Sequence, residues 1–161
     1  MRSILFVCSA NICRSPMAEG LMKALVKGMR EDWRIESAGV WAIKNSPAAE
    51  NTLKVLLERG VDLSDHVSRQ VTLEMVEEFN LVLTMENNHQ EALHAAFPQY
   101  ECRIFTMGEM VGRQGDVVDP IGFPPVVFEQ TAREIEAILS GGFERISRLA
   151  EGLQDDRIPP G

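Results

Sequence analysis

A cysteine, five intervening residues and an arginine open the chain's chemistry: Cys8-Ser9-Ala10-Asn11-Ile12-Cys13-Arg14, followed at once by Ser15 and Pro16. A thiol among backbone N–H donors, a helix N-terminus and a guanidinium is favoured in its anionic form, the form that attacks. The same donors suit a phosphate-sized anion, because the first N–H groups of a helix have no intrahelical partner. Arg14 can fork two N–H groups onto two phosphate oxygens, a planar match that lysine lacks. Ser15 can donate its hydroxyl to the sulfur and stabilise it again as a leaving group. The loop has no glycine, but Asn11 tolerates positive φ and can supply the turn that wraps the backbone into a nest. Together these residues suit nucleophilic attack on phosphorus with the equatorial oxygens held. A purely structural loop and a zinc site are the rival readings. Zinc fits less well, since the cysteines are spaced more widely than in a knuckle and His66, His89 and His94 are scattered. A nucleotide-binding Walker loop would need a Gly-Lys-Ser/Thr ending that is absent.

Such a loop must leave a strand and enter a helix, and the flanking residues supply both. Ile4-Leu5-Phe6-Val7 is a continuous apolar run, and Met17, Leu21, Ala24 and Leu25 recur at helical spacing, with Pro16 expected at the first helical position. A second strand is predicted over 33–37. A helix follows Pro47, with Leu53, Leu56 and Leu57 as its apolar stripe and Gly60 as its stop. Thr72 reads as an N-cap ahead of Met75, Val76 and Phe79. Leu81-Val82-Leu83 is a third buried strand, a helix spans about 87–97 up to Pro98, and a fourth strand covers 103–106. A long helix starts near Pro125 with Ile135, Ile138, Leu139, Ile146 and Leu149 in one stripe, broken at Gly141-Gly142.

Buried strands alternating with helices predict an α/β fold, a parallel sheet covered on both faces. Ligands in such a sheet bind at the C-terminal edges of the strands, and the first strand ends at Cys8. With 161 residues, 45% apolar, the chain suits one domain over 1–153 and a polar, frayed tail over 154–161. No run approaches the roughly 18 apolar residues that span a bilayer, and no signal-peptide pattern opens the chain. The expectation is a cytoplasmic monomer that binds no membrane. Three cysteines do not make a disulfide framework, and a net charge of −8 without a Lys/Arg stripe argues against nucleic acid.

The stretch from Cys8 through Met17-Ala18-Glu19 resembles the phosphate loop of the low-molecular-weight protein tyrosine phosphatases. Further matches are Ser37-Ala38-Gly39, His66 with Arg69-Gln70, Leu81-Val82-Leu83-Thr84-Met85, and Asp116-Val117-Val118-Asp119-Pro120. The resemblance implies a single-domain three-layer α/β/α sandwich, with a central four-stranded parallel sheet and the phosphate loop after strand 1. It implies hydrolysis through a phosphocysteine without metal or cofactor: Cys8 is the nucleophile, Arg14 the phosphate clamp and Asp119 the general acid. Residues Ser9, Ala10, Asn11, Ile12, Cys13, Arg14 and Ser15 form the phosphate-binding loop, and Asn11, Ser15, Ser37 and His66 match the supporting hydrogen-bond network. The expected partners are a phosphorylated protein or peptide and inhibitory phosphate-like anions. The acid also makes chemical sense on its own terms. A departing phenolate or alkoxide needs a proton, and Asp119 lies in the irregular segment 112–125, where functional groups concentrate. Asp116 is its rival, and an Asp-Pro pair alone is an ordinary turn.

Ile12 and Trp41 are expected to wall the pocket, Trp41 having a partly buried staple as its plainer reading. Cys13 offers a resolving thiol that could trap oxidised Cys8 as a disulfide, or else packs as a small hydrophobe. His66 could bond backbone alone. His89 and His94 are expected on an exposed helix face, Cys102 in the core, and Glu86 as a solubilising charge. Many relatives carry tyrosines after the Asp-Pro pair, whereas this chain has Ile121-Gly122-Phe123 and its sole tyrosine is Tyr100. The segment 115–120 with Glu129-Gln130-Thr131 is similar to a bacterial branch that includes protein-arginine phosphatases, which carry threonine where this chain has Ile12. Apolar Ile12 favours phosphotyrosine, with phosphoarginine the alternative. Arsenate reductase would need two further cysteines near 80–95, and 80–97 has none. A non-catalytic anion-binding module is the remaining reading.

Overall fold

In the computed structural model, described over residues 1–29 and 32–153, four parallel strands form one sheet in the order β2-β1-β3-β4. They are β1 (Arg2–Cys8), β2 (Trp33–Gly39), β3 (Leu81–Thr84) and β4 (Ile104–Thr106). The helices are α1 (Arg14–Val26), α2 (Glu50–Glu58), α3 (Leu73–Glu78), α4 (Asn87–Ala96), α5 (Pro125–Gly141) and α6 (Phe143–Ala150). The expected tail, 154–161, lies outside the described residues.

Strand alternation builds three layers. Along β1, Ile4, Phe6 and Cys8 join the core under α1, α5 and α6, which holds Met17, Leu21, Ile135, Ile138 and Ile146. Leu5 and Val7 face the other way, to Val76, Phe79 and Leu93 from the α3 and α4 segments. Residues buried on both faces read as a continuous apolar run, which is why this strand was visible in the sequence. The strand order reverses between β1 and β3, so chain leaving their C-terminal ends parts to opposite sides and opens a crevice there. The loop after Cys8 and the turn after Met85 flank that crevice.

Several local signals act as expected. Thr72 caps α3 by accepting the Met75 N–H at 3.2 Å, and Gly142 separates α5 from α6. Three expectations are corrected. Helix α1 begins at Arg14, so Pro16 is its third residue, not its first; a proline still loses nothing there, since that N–H has no intrahelical acceptor. The buried face of α2 is Thr52, Val55 and Leu56, one residue round from the predicted stripe, and Leu57 is 66% exposed. The Thr52 hydroxyl, 3.5 Å from the Cys13 carbonyl, and the Ala49 N–H on the Ile12 carbonyl at 2.6 Å hold that rotation against the loop. Cys102 is exposed, because a 3₁₀ turn over Pro98–Arg103 precedes β4 and keeps it out of the sheet.

Candidate active site

The loop between β1 and α1 is held from outside by its carbonyls. Those of Cys8, Ser9 and Ala10 accept the N–H groups of Val40, Trp41 and Ile43, the chain continuing beyond β2. The Asn11 carbonyl meets His66 Nε2 at 2.8 Å, the Ile12 carbonyl takes the Ala49 N–H, and the Cys13 carbonyl takes the Met17 N–H. In planar trans peptides the following N–H points opposite each carbonyl. The N–H groups of Ser9 through Arg14 are thereby turned toward the inside of the loop at the start of α1, a disposition that suits an anion. The loop must lie close to β2 for this. A Cβ on Gly39 would stand 2.6 Å from the Ser9 carbonyl oxygen, so the Ser37-Ala38-Gly39 motif has a steric reason.

Asn11 makes the turn, with φ of 59°, and its amide ties the site together. Its Nδ2 donates to Ser15 Oγ at 2.8 Å and to Ser37 Oγ at 3.0 Å, while its Oδ1 accepts the Arg69 N–H at 3.0 Å. Ser37 in turn donates to Glu19 Oε1 at 2.7 Å. Ser15 Oγ, already accepting from Asn11, lies 3.0 Å from Cys8 Sγ and 3.4 Å from the Ala38 carbonyl, so its proton has the sulfur and that carbonyl as acceptors. Asn11, Ser15 and Ser37 are thus one connected side-chain network around a buried thiol, and His66 meets it only at the Asn11 backbone carbonyl, the plainer of its two expected roles.

Among the described residues Arg14 is the largest fully buried side chain, at 2% exposure. Its Nη1 donates to the Val117 carbonyl at 2.7 Å and pairs with Glu86 Oε2 at 2.6 Å, while Nη2 stands 3.7 Å from Asp119 Oδ2. A buried guanidinium is tolerable only with such partners. Asp119 is partly exposed at the mouth, its other oxygen accepting the Ile121 N–H at 3.1 Å. Asp116 is occupied elsewhere: its Oδ1 accepts the Asn87 N–H at 2.7 Å and pins the 112–125 segment to the start of α4. That segment is also tied by the Val117 N–H to the Met85 carbonyl.

Three expectations fail here. Glu86 is not a mere surface charge: it caps α4 and pairs with Arg14. His89 is not solvated but fully buried, completing the reciprocal cap with Glu86 and reaching Ser9 Oγ at 2.8 Å. Burial holds it below its ordinary imidazole value. The pattern of acceptors at the N-cap and three residues later was the available signal. His94, also expected on an open face, is half-buried with Nε2 3.1 Å from the Ile104 carbonyl. Trp41 stands 64% exposed beside the loop, and Ile12 is half-buried against the core. Cys13 is buried, its thiol pushed up to about 12 chiefly by that burial.

A doubly covered parallel sheet with a cysteine at the base of a backbone anion cradle and an arginine at its rim defines a phosphoryl-handling α/β protein. The sequence pattern described as low molecular weight phosphotyrosine protein phosphatase matches residues 3–152, and the chain belongs to that family of hydrolases. It is 37% identical to a protein-arginine-phosphatase of Bacillus subtilis over 155 residues, 96% of this chain and 98% of that protein. It superposes on a low molecular weight protein tyrosine phosphatase from T. tengcongensis with a TM-score of 0.86 and 40% identity, covering 90% of this chain and 99% of that one. A second similar structure, at 36% identity and TM-score 0.81 over 96% of this chain and 97% of its own, is the YwlE arginine phosphatase with its active-site cysteine replaced by a serine that carries phosphate.

Proposed function

We propose that the protein is a cytoplasmic protein-tyrosine phosphatase in which Cys8 is the nucleophile, Arg14 the clamp and Asp119 the acid and base. The observation that carries this reading is the row of outward-bonded carbonyls that follows Cys8, which leaves the N–H groups after them free to face the inside of the loop. A phosphoryl group there has its equatorial oxygens held by N–H groups and by the Nε–Nη2 edge of Arg14, Nη1 being engaged by Val117 and Glu86. Cys8 Sγ attacks phosphorus as the bond to the tyrosyl oxygen breaks, and Asp119 gives that oxygen its proton. Water then attacks the phosphocysteine, the Asp119 carboxylate takes a proton from it, and the sulfur leaves as a thiolate that the Ser15 hydroxyl stabilises.

Exposed apolar side chains support an aromatic substrate. Trp41, Ile43, Val118 and Phe123 all lie on segments bonded to the loop or to the Asp119 turn, and Ile12 adds apolar volume within it. A flat phenyl ring packs on such a rim, whereas a guanidinium would have a single open carboxylate to meet, Asp119, since Glu86 and Asp116 are already engaged. The alternative, phosphoarginine, draws on the Bacillus relative. Turnover of phosphotyrosine and phosphoarginine peptides side by side, with chelator present, decides between them. Phosphotyrosine is expected to be the faster substrate and chelator to change neither rate. A faster phosphoarginine reaction overturns the rim argument, and loss of both rates in chelator overturns the mechanism.

Cys13 is proposed as the redox partner. Peroxide converts the Cys8 thiolate to a sulfenic acid, and a Cys13 thiolate attacking that sulfur forms the disulfide and expels hydroxide. With the Cys13 thiol pushed up to about 12, only a small fraction is ionised at neutral pH. Closure of the disulfide is therefore expected to accelerate by up to about tenfold per pH unit between roughly pH 7 and 9. Time-resolved thiol alkylation with mass spectrometry reads this directly. Closure independent of pH, or inactivation of Cys13→Ser as readily reversed by dithiols as that of the parent, refutes the role.

A further inference from the structure

Ser9, next to the nucleophile, ends against His89 with Oγ 2.8 Å from Nε2. The direction of this hydrogen bond is fixed on the far side of the ring, where Nδ1 accepts the Glu86 backbone N–H at 3.1 Å. The neutral imidazole therefore carries its proton on Nε2 and donates to Ser9. The ring is fully buried. Burial disfavours its cationic form, opposed by Glu86 and reinforced by Arg14, while Asp116 and Asp119 pull weakly upward. Because Ser9 Oγ receives a hydrogen bond from His89, its own proton is left for another acceptor. The Ser9 backbone carbonyl is already turned outward to Trp41. Its half-buried side chain stands on the side of the α4 cap, where Glu86 Oε2 lies 3.5 Å from the same His89 Nε2 and 2.6 Å from Arg14 Nη1.

We propose that His89 is a positioning residue that turns the Ser9 hydroxyl into a side-chain donor to the bound phosphoryl group, supplementing the backbone N–H groups of the loop. The place of this donor in turnover rests on the phosphatase reading above, but anion binding alone tests it. Calorimetric titration with inorganic phosphate would compare the parent with Ser9→Ala, Ser9→Thr, His89→Asn and the Ser9→Ala/His89→Asn double variant. Asparagine keeps an acceptor at the Nδ1 position for the α4 cap and deletes the Nε2 donor, while Ser9→Ala leaves that cap untouched. Ser9→Ala and His89→Asn are each expected to weaken phosphate binding about tenfold, the loss of one hydrogen bond to a charged group. Ser9→Thr should stay within about threefold of the parent, as one retained hydroxyl implies. The double variant should bind no more weakly than Ser9→Ala, because His89 acts through Ser9. The proposal is overturned if Ser9→Ala or His89→Asn binds phosphate as the parent does, or if the double variant loses the product of the two single effects. A parent that binds phosphate but hydrolyses no phosphoester refutes the phosphatase reading, and the titration still decides the role of Ser9.

Discussion

Cys8→Ser is expected to lower turnover by on the order of 10⁴-fold or more, the scale of removing a nucleophile from a concerted site, while phosphate affinity stays close to the parent's. The substitution changes one buried atom. The outward-bonded carbonyls, Arg14 and the Asn11 network do not depend on the sulfur, so the cradle persists. What is lost is chemistry at both steps. A serine hydroxyl is far less ionised than a thiol beside the Ser15 hydroxyl, and an alkoxide leaves phosphorus far less readily than a thiolate. If the serine attacks at all, the adduct should accumulate rather than turn over. The arginine phosphatase relative with a phosphorylated active-site serine is in that condition. Intact-protein mass spectrometry after incubation with a phosphotyrosine peptide would reveal the trapped phosphoryl group, and calorimetry would follow phosphate. Unchanged turnover in Cys8→Ser would remove Cys8 as the nucleophile, and a parent that binds phosphate without turnover would leave an anion-binding module in which the thiol is incidental.

What could be read from the sequence was local. Cys8, Arg14 and Ser15 carry their chemistry in a fixed spacing, Asn11 carries its positive φ in its side-chain type, and Thr72 and Gly141-Gly142 mark helix boundaries within a few residues of where they act. Partners brought in by the topology were less visible. Glu86 and His89 lie more than seventy residues from the loop, and only the β1–β3 pairing sets the start of α4 beside it. As single letters they looked like surface charge. Glu19 was visible in the motif, but its role depends on Ser37 of the neighbouring strand. The inner face of α2 was misplaced as well: Thr52 is buried there with its hydroxyl 3.5 Å from the Cys13 carbonyl, and Leu57 is not. Hydrophobic periodicity finds a stripe but does not weigh one polar contact against a leucine.

Asp119→Asn tests the acid, with an expected loss of about 10² to 10⁴ in kcat on phosphotyrosine, the usual contribution of a positioned proton donor. The variant keeps an oxygen to accept the Ile121 N–H, so the turn should survive. Its effect on Arg14 should be small, since the pair is 3.7 Å apart, the carboxylate is partly exposed, and Glu86 holds the same guanidinium at 2.6 Å. The loss should depend on the leaving group. A nitrophenolate departs with little need for a proton, so the first step with nitrophenyl phosphate should be far less affected than with the tyrosyl ester. The second step, where the carboxylate takes a proton from water, should slow for both. Nitrophenyl phosphate is therefore expected to give a burst of product followed by slow turnover, with phosphocysteine accumulating on Cys8. Asp116→Asn is the paired control. Its amide oxygen can still accept the Asn87 N–H that pins the segment, and it should keep most of the parent's activity. If Asp116→Asn loses more than Asp119→Asn, or if the first step of Asp119→Asn slows equally for both leaving groups, the proton donor is not Asp119.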